Sequence, residues 1–193
     1  MRPLLCLLVI ANCLLYKVSA QPTASRAVQA KRAQLTIDWL TGRLWVREAT
    51  GRNDGLAVAE IIRAGGGVPA QRPEWCGFTQ AADQKANGLP IPARGMQGAA
   101  KAWFDPASPR TYFLAGQRGS LDSIRPGHML GFNYGRGIHH IGRDKEVAPP
   151  LRKGRPPRGF WSLAGNEGRG TNAGMHLTYY PAPSIAGASN WLY

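Results

Sequence analysis

Pro109 divides this chain into two textures, and that division limits the folds open to it. Before Pro109, apolar residues recur at helical spacing; after it, short apolar runs alternate with Gly, Pro and Asn turns. From Arg26 to about Trp45, Val28, Leu35, Trp39, Leu40 and Leu44 share roughly one helical face, with Thr36 or Thr41 as interruptions. Leu56, Val58, Ala59, Ile61 and Ile62 predict a second helix, capped by Asn53 or Asp54 and ended by Gly65-Gly66-Gly67. A third runs from Cys76 to about Asn87, with Gly88 as its C-terminal cap and Pro90 just beyond. A helical turn around Trp103 follows. Beyond Pro109 the candidate strands are 111–114, 128–132, 138–142, 160–164 and 175–180, with a hairpin turn from Asn133 to Gly137. Helices first and strands later predict an α+β domain, its N-terminal helices packed on a C-terminal antiparallel sheet.

The first residues read as a leader. Arg2 gives a positive start, an apolar run extends from Leu4 to Tyr16, and Val18-Ser19-Ala20 offers a small-residue cleavage site. The run is too short to span a bilayer comfortably. The expectation is a cleaved signal peptide at 1–20, a single domain at 21–193, and export to the periplasm or the medium. Ile10-Ala11-Asn12-Cys13 loosely resembles a lipobox, which leaves lipidation at Cys13 as an alternative. The full chain carries 24 Lys and Arg against 11 Asp and Glu, a formal net charge of +13. A basic exported protein is drawn to anionic lipid or an anionic cell-wall polymer. Nucleic acid is not an expected partner, because no amphipathic basic helix or nucleic-acid motif is present.

With Cys6 and Cys13 in the leader, Cys76 is the one cysteine left, and it cannot form an internal disulfide. A lone buried cysteine often serves as a small hydrophobe. Its alternative use is as a nucleophile, and the surroundings suit that use. A thiol attacks an amide as thiolate, and a helix N-terminus or a neighbouring histidine favours the thiolate. The free N–H groups of a first helical turn can also receive an oxyanion. The base would come from His139-His140; neighbours on a regular strand point to opposite faces, so at most one of the two meets the thiol, and the pattern does not choose. Asn166, after Gly165, can hold an imidazole in its productive tautomer, or it can simply be a turn residue. Residues 144–159, with four prolines and Arg152, Lys153, Arg155 and Arg158, read as a solvated loop or a cationic rim beside the site. His128, His139, His140 and His176 lack an HExxH or close carboxylate motif, so neither a metal nor another cofactor is expected.

Four segments resemble the CHAP family (cysteine, histidine-dependent amidohydrolases and peptidases, relatives of papain-like peptidases). Arg47 to Gly55 resembles the segment before the first core helix of exported members. Glu74-Trp75-Cys76-Gly77 resembles their Pro-Trp-Cys-(Ala/Ser/Gly) motif, His140-Ile141-Gly142 their His-Val-Gly motif, and Gly165-Asn166-Glu167 their Gly-Gly-Asn turn. The resemblance implies a papain-like architecture with Cys76 as nucleophile, His140 rather than His139 as base, and Asn166 as orienting residue. Trp75, Gly77 and His139, which flank these groups, are the expected substrate contacts. Three departures stand out: Pro126-Gly127-His128 where the family has Pro-Gly-Asp, Glu74 where it has Pro, and Ala164 where many members carry a Glu two residues before the Asn. The last leaves Asn166 as the sole candidate for the third residue.

The function so implied is cleavage of peptidoglycan amide bonds, at the sugar–peptide link or within the peptide stem. Peptidoglycan is the expected partner, and a proteinaceous inhibitor or immunity protein is a further candidate. The alternative is a binding module on the same fold that holds wall peptides or a protein without turnover.

Overall fold

The structure, a computed structural model, describes residues 25–133, 135, 137–150 and 157–193. The leader with Cys13 and the cations Arg152, Lys153 and Arg155 lie outside the described residues, as do two positions of the 133–137 turn.

Three helices form in the expected order, but the first ends at Thr41 rather than near Trp45, and Val28 and Leu35 of its expected apolar face are exposed. Helix α1 (Arg26–Thr41) starts at Ser25, whose hydroxyl accepts from the Val28 N–H, and buries Ala33, Thr36, Ile37 and Leu40. Helix α2 (Leu56–Gly65) buries Val58, Ile61 and Ile62. Its cap is Gly55 at φ 111°, not Asn53 or Asp54; the Asp54 carboxylate instead accepts from the Thr50 N–H and hydroxyl, closing the preceding turn. Helix α3 (Cys76–Ala86) is the most buried of the three and carries an unusual load of buried polar groups: Thr79, Gln80, Asp83 and Gln84. A 3₁₀ helix covers Ala100–Phe104.

The strands are β1 (Thr111–Leu114), β2 (Met129–Asn133), β3 (Ile138–Ala148), β4 (Gly159–Glu167), β5 (Gly174–Pro181) and β6 (Ile185–Ser189). They form one six-stranded sheet in the order β1-β6-β2-β3-β4-β5, with antiparallel pairing throughout. The fold is therefore mixed α+β. Two features depart from the sequence reading. Strand β3 continues to Ala148, so residues 144–148 are sheet rather than loop. Strand β6 was not expected; its Ile-Ala-Gly-Ala-Ser run offers a single large apolar side chain, too little for a strand signal.

Two apolar clusters hold the helices to the sheet. One joins Ile37 and Leu40 of α1, Val58, Ile61 and Ile62 of α2, Trp75, Leu163 of β4 and Met175 of β5. The second gathers Cys76 and Ala81 of α3 with Trp103, Phe104, Met129, Ile141 and Trp191. A third cluster, with Leu130, Phe132, Phe160 and Ile185, uses the alternate residues of β2. Helix α3 thus lies between α1–α2 and the sheet, with β3 and β4 against it. Among the described residues no helix is long and apolar enough to cross a membrane.

Candidate active site

Cys76 is the first residue of α3, as its place in the sequence predicts. The first N–H bond of the helix runs from Thr79 to the Trp75 carbonyl at 2.8 Å. The N–H groups of Cys76, Gly77 and Phe78 therefore have no partner four residues back. The thiol is buried, at 2% exposure, against the cluster that contains Trp103, Met129 and Ile141.

The helix end is held by its neighbours. Trp75 is fully buried, and its indole N–H donates to Glu48 Oε1 at 2.9 Å. The other Glu48 oxygen accepts from the Asn53 N–H at 2.8 Å, and the Glu48 N–H donates to the Ala173 carbonyl. Glu48 thus ties the 47–55 segment and the strand β5 region to the start of α3. Gly165 of β4 packs directly on Trp75 and Thr79: a Cβ there would fall 2.5 Å from the indole and 2.3 Å from the Thr79 hydroxyl. Only glycine allows that approach.

His140 lies on β3 beside a bulge. Phe132 pairs with His140 and Asn133 with Ile138, so His139 is the extra residue; such bulges re-aim nearby side chains. The Cys76 side chain lies close enough to the His140 ring to favour its protonated form. The Nε2 of that ring lies 3.1 Å from Glu167 Oε1. Burial lowers the ring's affinity for a proton, but the hydrogen bonds and charges of Cys76 and Glu167 more than offset it, and the pKa is pushed up from 6.5 to about 10. At neutral pH the ring is an imidazolium between a sulfur and a carboxylate.

Glu167, not Asn166, stands on the imidazole. The reason that Glu167 rather than the expected Asn166 makes this contact is a bulge in β4. Ala164 pairs with His176 and Glu167 with Gly174, so β4 carries one residue more than β5 between those pairs. Asn166 takes up the extra residue in a left-handed conformation, φ 61°, which asparagine tolerates better than most residues. Glu167 then turns toward His140. Its Oε1 also accepts from the Tyr180 hydroxyl at 2.8 Å, and its Oε2 from the Thr178 hydroxyl.

A cleft of about 520 Å³ opens onto this group, lined by His140, Asn166, Glu167, Arg169, His176 and Tyr180 among others. Cys76 meets it through the His140 ring rather than as part of its wall. Two of the expected substrate contacts are covered. Trp75 has no exposed surface to offer a ligand. Gly77 lies under the backbone of the 97–98 segment, where a Cβ would fall 2.3 Å from the Gly98 carbonyl oxygen. His139 is exposed but does not line the cleft. Thr178 and Tyr180 escaped the sequence reading, and Glu48 was read only as part of the 47–55 segment; their roles are found only through the partners that the fold brings to them.

His128 sits at the far end of β2, buried with its Nδ1 accepting from the Tyr112 hydroxyl at 2.6 Å and the Arg125 N–H at 3.3 Å. Among the described residues no group of three or more His, Cys, Asp or Glu could hold a metal ion. Comparisons with protein-family models, with curated proteins and with solved structures find no match to this chain.

Proposed function

We propose that this chain is an exported cysteine hydrolase that cleaves peptidoglycan amide bonds by acyl transfer, with Cys76 as nucleophile, His140 as acid and base, and Glu167 as the group that orients His140. The observation that carries the chemistry is the single imidazole shared between the Cys76 thiol and the Glu167 carboxylate. A papain-like architecture fits a thiol at a helix start facing a strand histidine. The substrate class rests on the resemblance of the four CHAP-like segments, and the net positive charge suits an anionic wall polymer.

In the proposed reaction Cys76 Sγ, as thiolate, adds to the carbonyl carbon. The carbonyl oxygen becomes an oxyanion beside the first-turn N–H groups at the start of α3. Collapse breaks the C–N bond as His140 hands its proton to the leaving amine. His140 then takes a proton from water, whose oxygen adds to the thioester; the carboxylic acid leaves, and the sulfur is regenerated. Glu167 keeps Nε2–H engaged throughout, which fixes the tautomer of the ring.

The 2% exposure of Cys76 favours a second reading, a module that binds wall peptides or a protein without turnover. Digestion of purified walls, with mass analysis of released fragments, separates the two. The hydrolase reading predicts new muramic lactyl ends or new peptide ends with wild type and none with Cys76→Ala. Equal digestion by both would remove Cys76 from the chemistry. Binding without digestion by wild type would establish the second reading.

A further inference from the structure

The catalytic reading uses only the first turn of α3, yet the most expensive feature of that helix lies two turns further on. Asp83 of α3 and Arg143 of β3 are both fully buried, and Arg143 Nη2 lies 2.8 Å from Asp83 Oδ2, at an angle poor for a hydrogen bond. The same guanidinium donates to the Gly127 carbonyl at 2.6 Å and to Gln84 Oε1 at 3.3 Å. Gln84 donates in turn to the Pro90 and Trp191 carbonyls, and Gln80 to the Leu163 carbonyl of β4 at 3.2 Å. Cys76, Gln80, Asp83 and Gln84 are spaced at i, i+4, i+7 and i+8, which is one face of a helix.

Burial alone does not explain this stripe. A buried ion pair gives no more stability than apolar residues of the same volume, and often less. Its directional contacts do something that apolar contacts cannot do here. The small side chains of Ala81 and Ala82 give α3 little relief with which to fix its position along the sheet. The spans also match. Seven residues of helix, Cys76 to Asp83, rise about 10.5 Å; three residues of strand, His140 to Arg143, cover about 10 Å. His140 and Arg143, three residues apart on a regular stretch of β3, leave the strand on opposite faces; the ion pair ties α3 to β3 at one end of this span, and the thiol meets the imidazole at the other, beside the bulge.

We propose that the buried Asp83–Arg143 pair is a positioning device: it fixes where α3 lies along β3, and so holds the Cys76 sulfur against the His140 ring. The proposal deepens the hydrolase reading and rests on it for the role of the sulfur. Asp83 and Arg143 touch no substrate and act only through that contact.

Two variants test it. Asp83→Leu combined with Arg143→Met removes both charges and keeps the volume, so neither partner is left as an orphan. Asp83→Glu keeps the ion pair and lengthens it by one methylene. For each folded variant the His140 ring is titrated by NMR and wall digestion is measured. The expected result is a His140 titration that falls from about 10 toward 6.5, and digestion reduced about 100-fold, the effect of a displacement near 1 Å. A purely structural role predicts a changed melting temperature with the His140 titration unmoved; that result in either folded variant would overturn the proposal. Should wild type release no wall fragments while the titration still shifts in the variants, the positioning role stands and the substrate reading falls.

Discussion

The β2–β3 hairpin carries a buried histidine at each end, and the two behave in opposite ways. His128 and His140 are almost equally covered, at 7% and 6% exposure. Burial by itself disfavours the charged ring in both. At His128 nothing offsets it: Nδ1 accepts from a hydroxyl and a backbone N–H, and the charges of Arg125 and Arg143 add to the burial, so the pKa falls to about 4. At His140 the partners are a thiol and a carboxylate, and the pKa rises to about 10. The nearby carboxylates differ in the same way. Glu167 is held by Thr178, Tyr180 and His140. Asp144, paired with the His128 backbone, lacks any side-chain donor, and burial, with the nearby Glu146 charge, pushes it up to about 7. Acidic partners rather than depth set the two rings apart: one holds its proton and the other gives it up.

The sharpest way to break the contrast is Glu167→Gln. The variant keeps the shape and removes the charge, so the imidazolium loses its counter-ion and its fixed tautomer. Wall digestion is expected to fall by roughly 10²- to 10⁴-fold, the range seen when an orienting acid is made an amide. A loss under threefold would show that Glu167 is merely structural.

The pH dependence of stability has opposite signs at the two ends. His128 has a depressed pKa, so its contribution is present above 6.5 and is lost as pH falls through about 4. The loss amounts to roughly 3 kcal/mol, and His128→Gln should flatten that acid limb in melts between pH 7 and 4. His140 has a raised pKa, so its contribution is complete below 6.5 and is lost as pH climbs through about 10. Cys76→Ala should flatten the alkaline limb and leave the acid one alone.

Tyr112→Phe removes one donor from His128 while Arg125 still supplies another. A destabilisation of about 1 kcal/mol is expected from denaturant melts, with wall digestion unchanged. The smallest effect belongs to Asn166. Asn166→Gly suits the left-handed bulge at least as well, so stability should move by no more than about 0.5 kcal/mol and activity by less than about threefold. A larger loss of activity would return the orienting role to Asn166.

The histidine contrast also shows what was legible in the sequence. The start of α3 at Cys76 and the α+β order could be read from spacing, whereas His140 over His139 was implied by the family resemblance alone. Asn166 could not be told from Glu167, because one extra residue in β4 decides which side chain meets the His140 ring, and a bulge leaves no mark beyond a Gly-Asn pair. The burial of Trp75 was not legible, because adjacency to the thiol in sequence does not reveal that the ring points into the core. Arg143 and Asp144 fell in or beside a stretch read as loop, although they are buried in β3; their charges hid the strand.

The central claim is that the sulfur of Cys76 carries the acyl group. It is tested most directly by mixing the protein with soluble wall peptides, quenching in acid within a turnover, and reading the mass of the peptide that contains Cys76. The account predicts a thioester adduct on that peptide in wild type, absent after His140→Gln. Products released at the wild-type rate, with no adduct on Cys76, would contradict it.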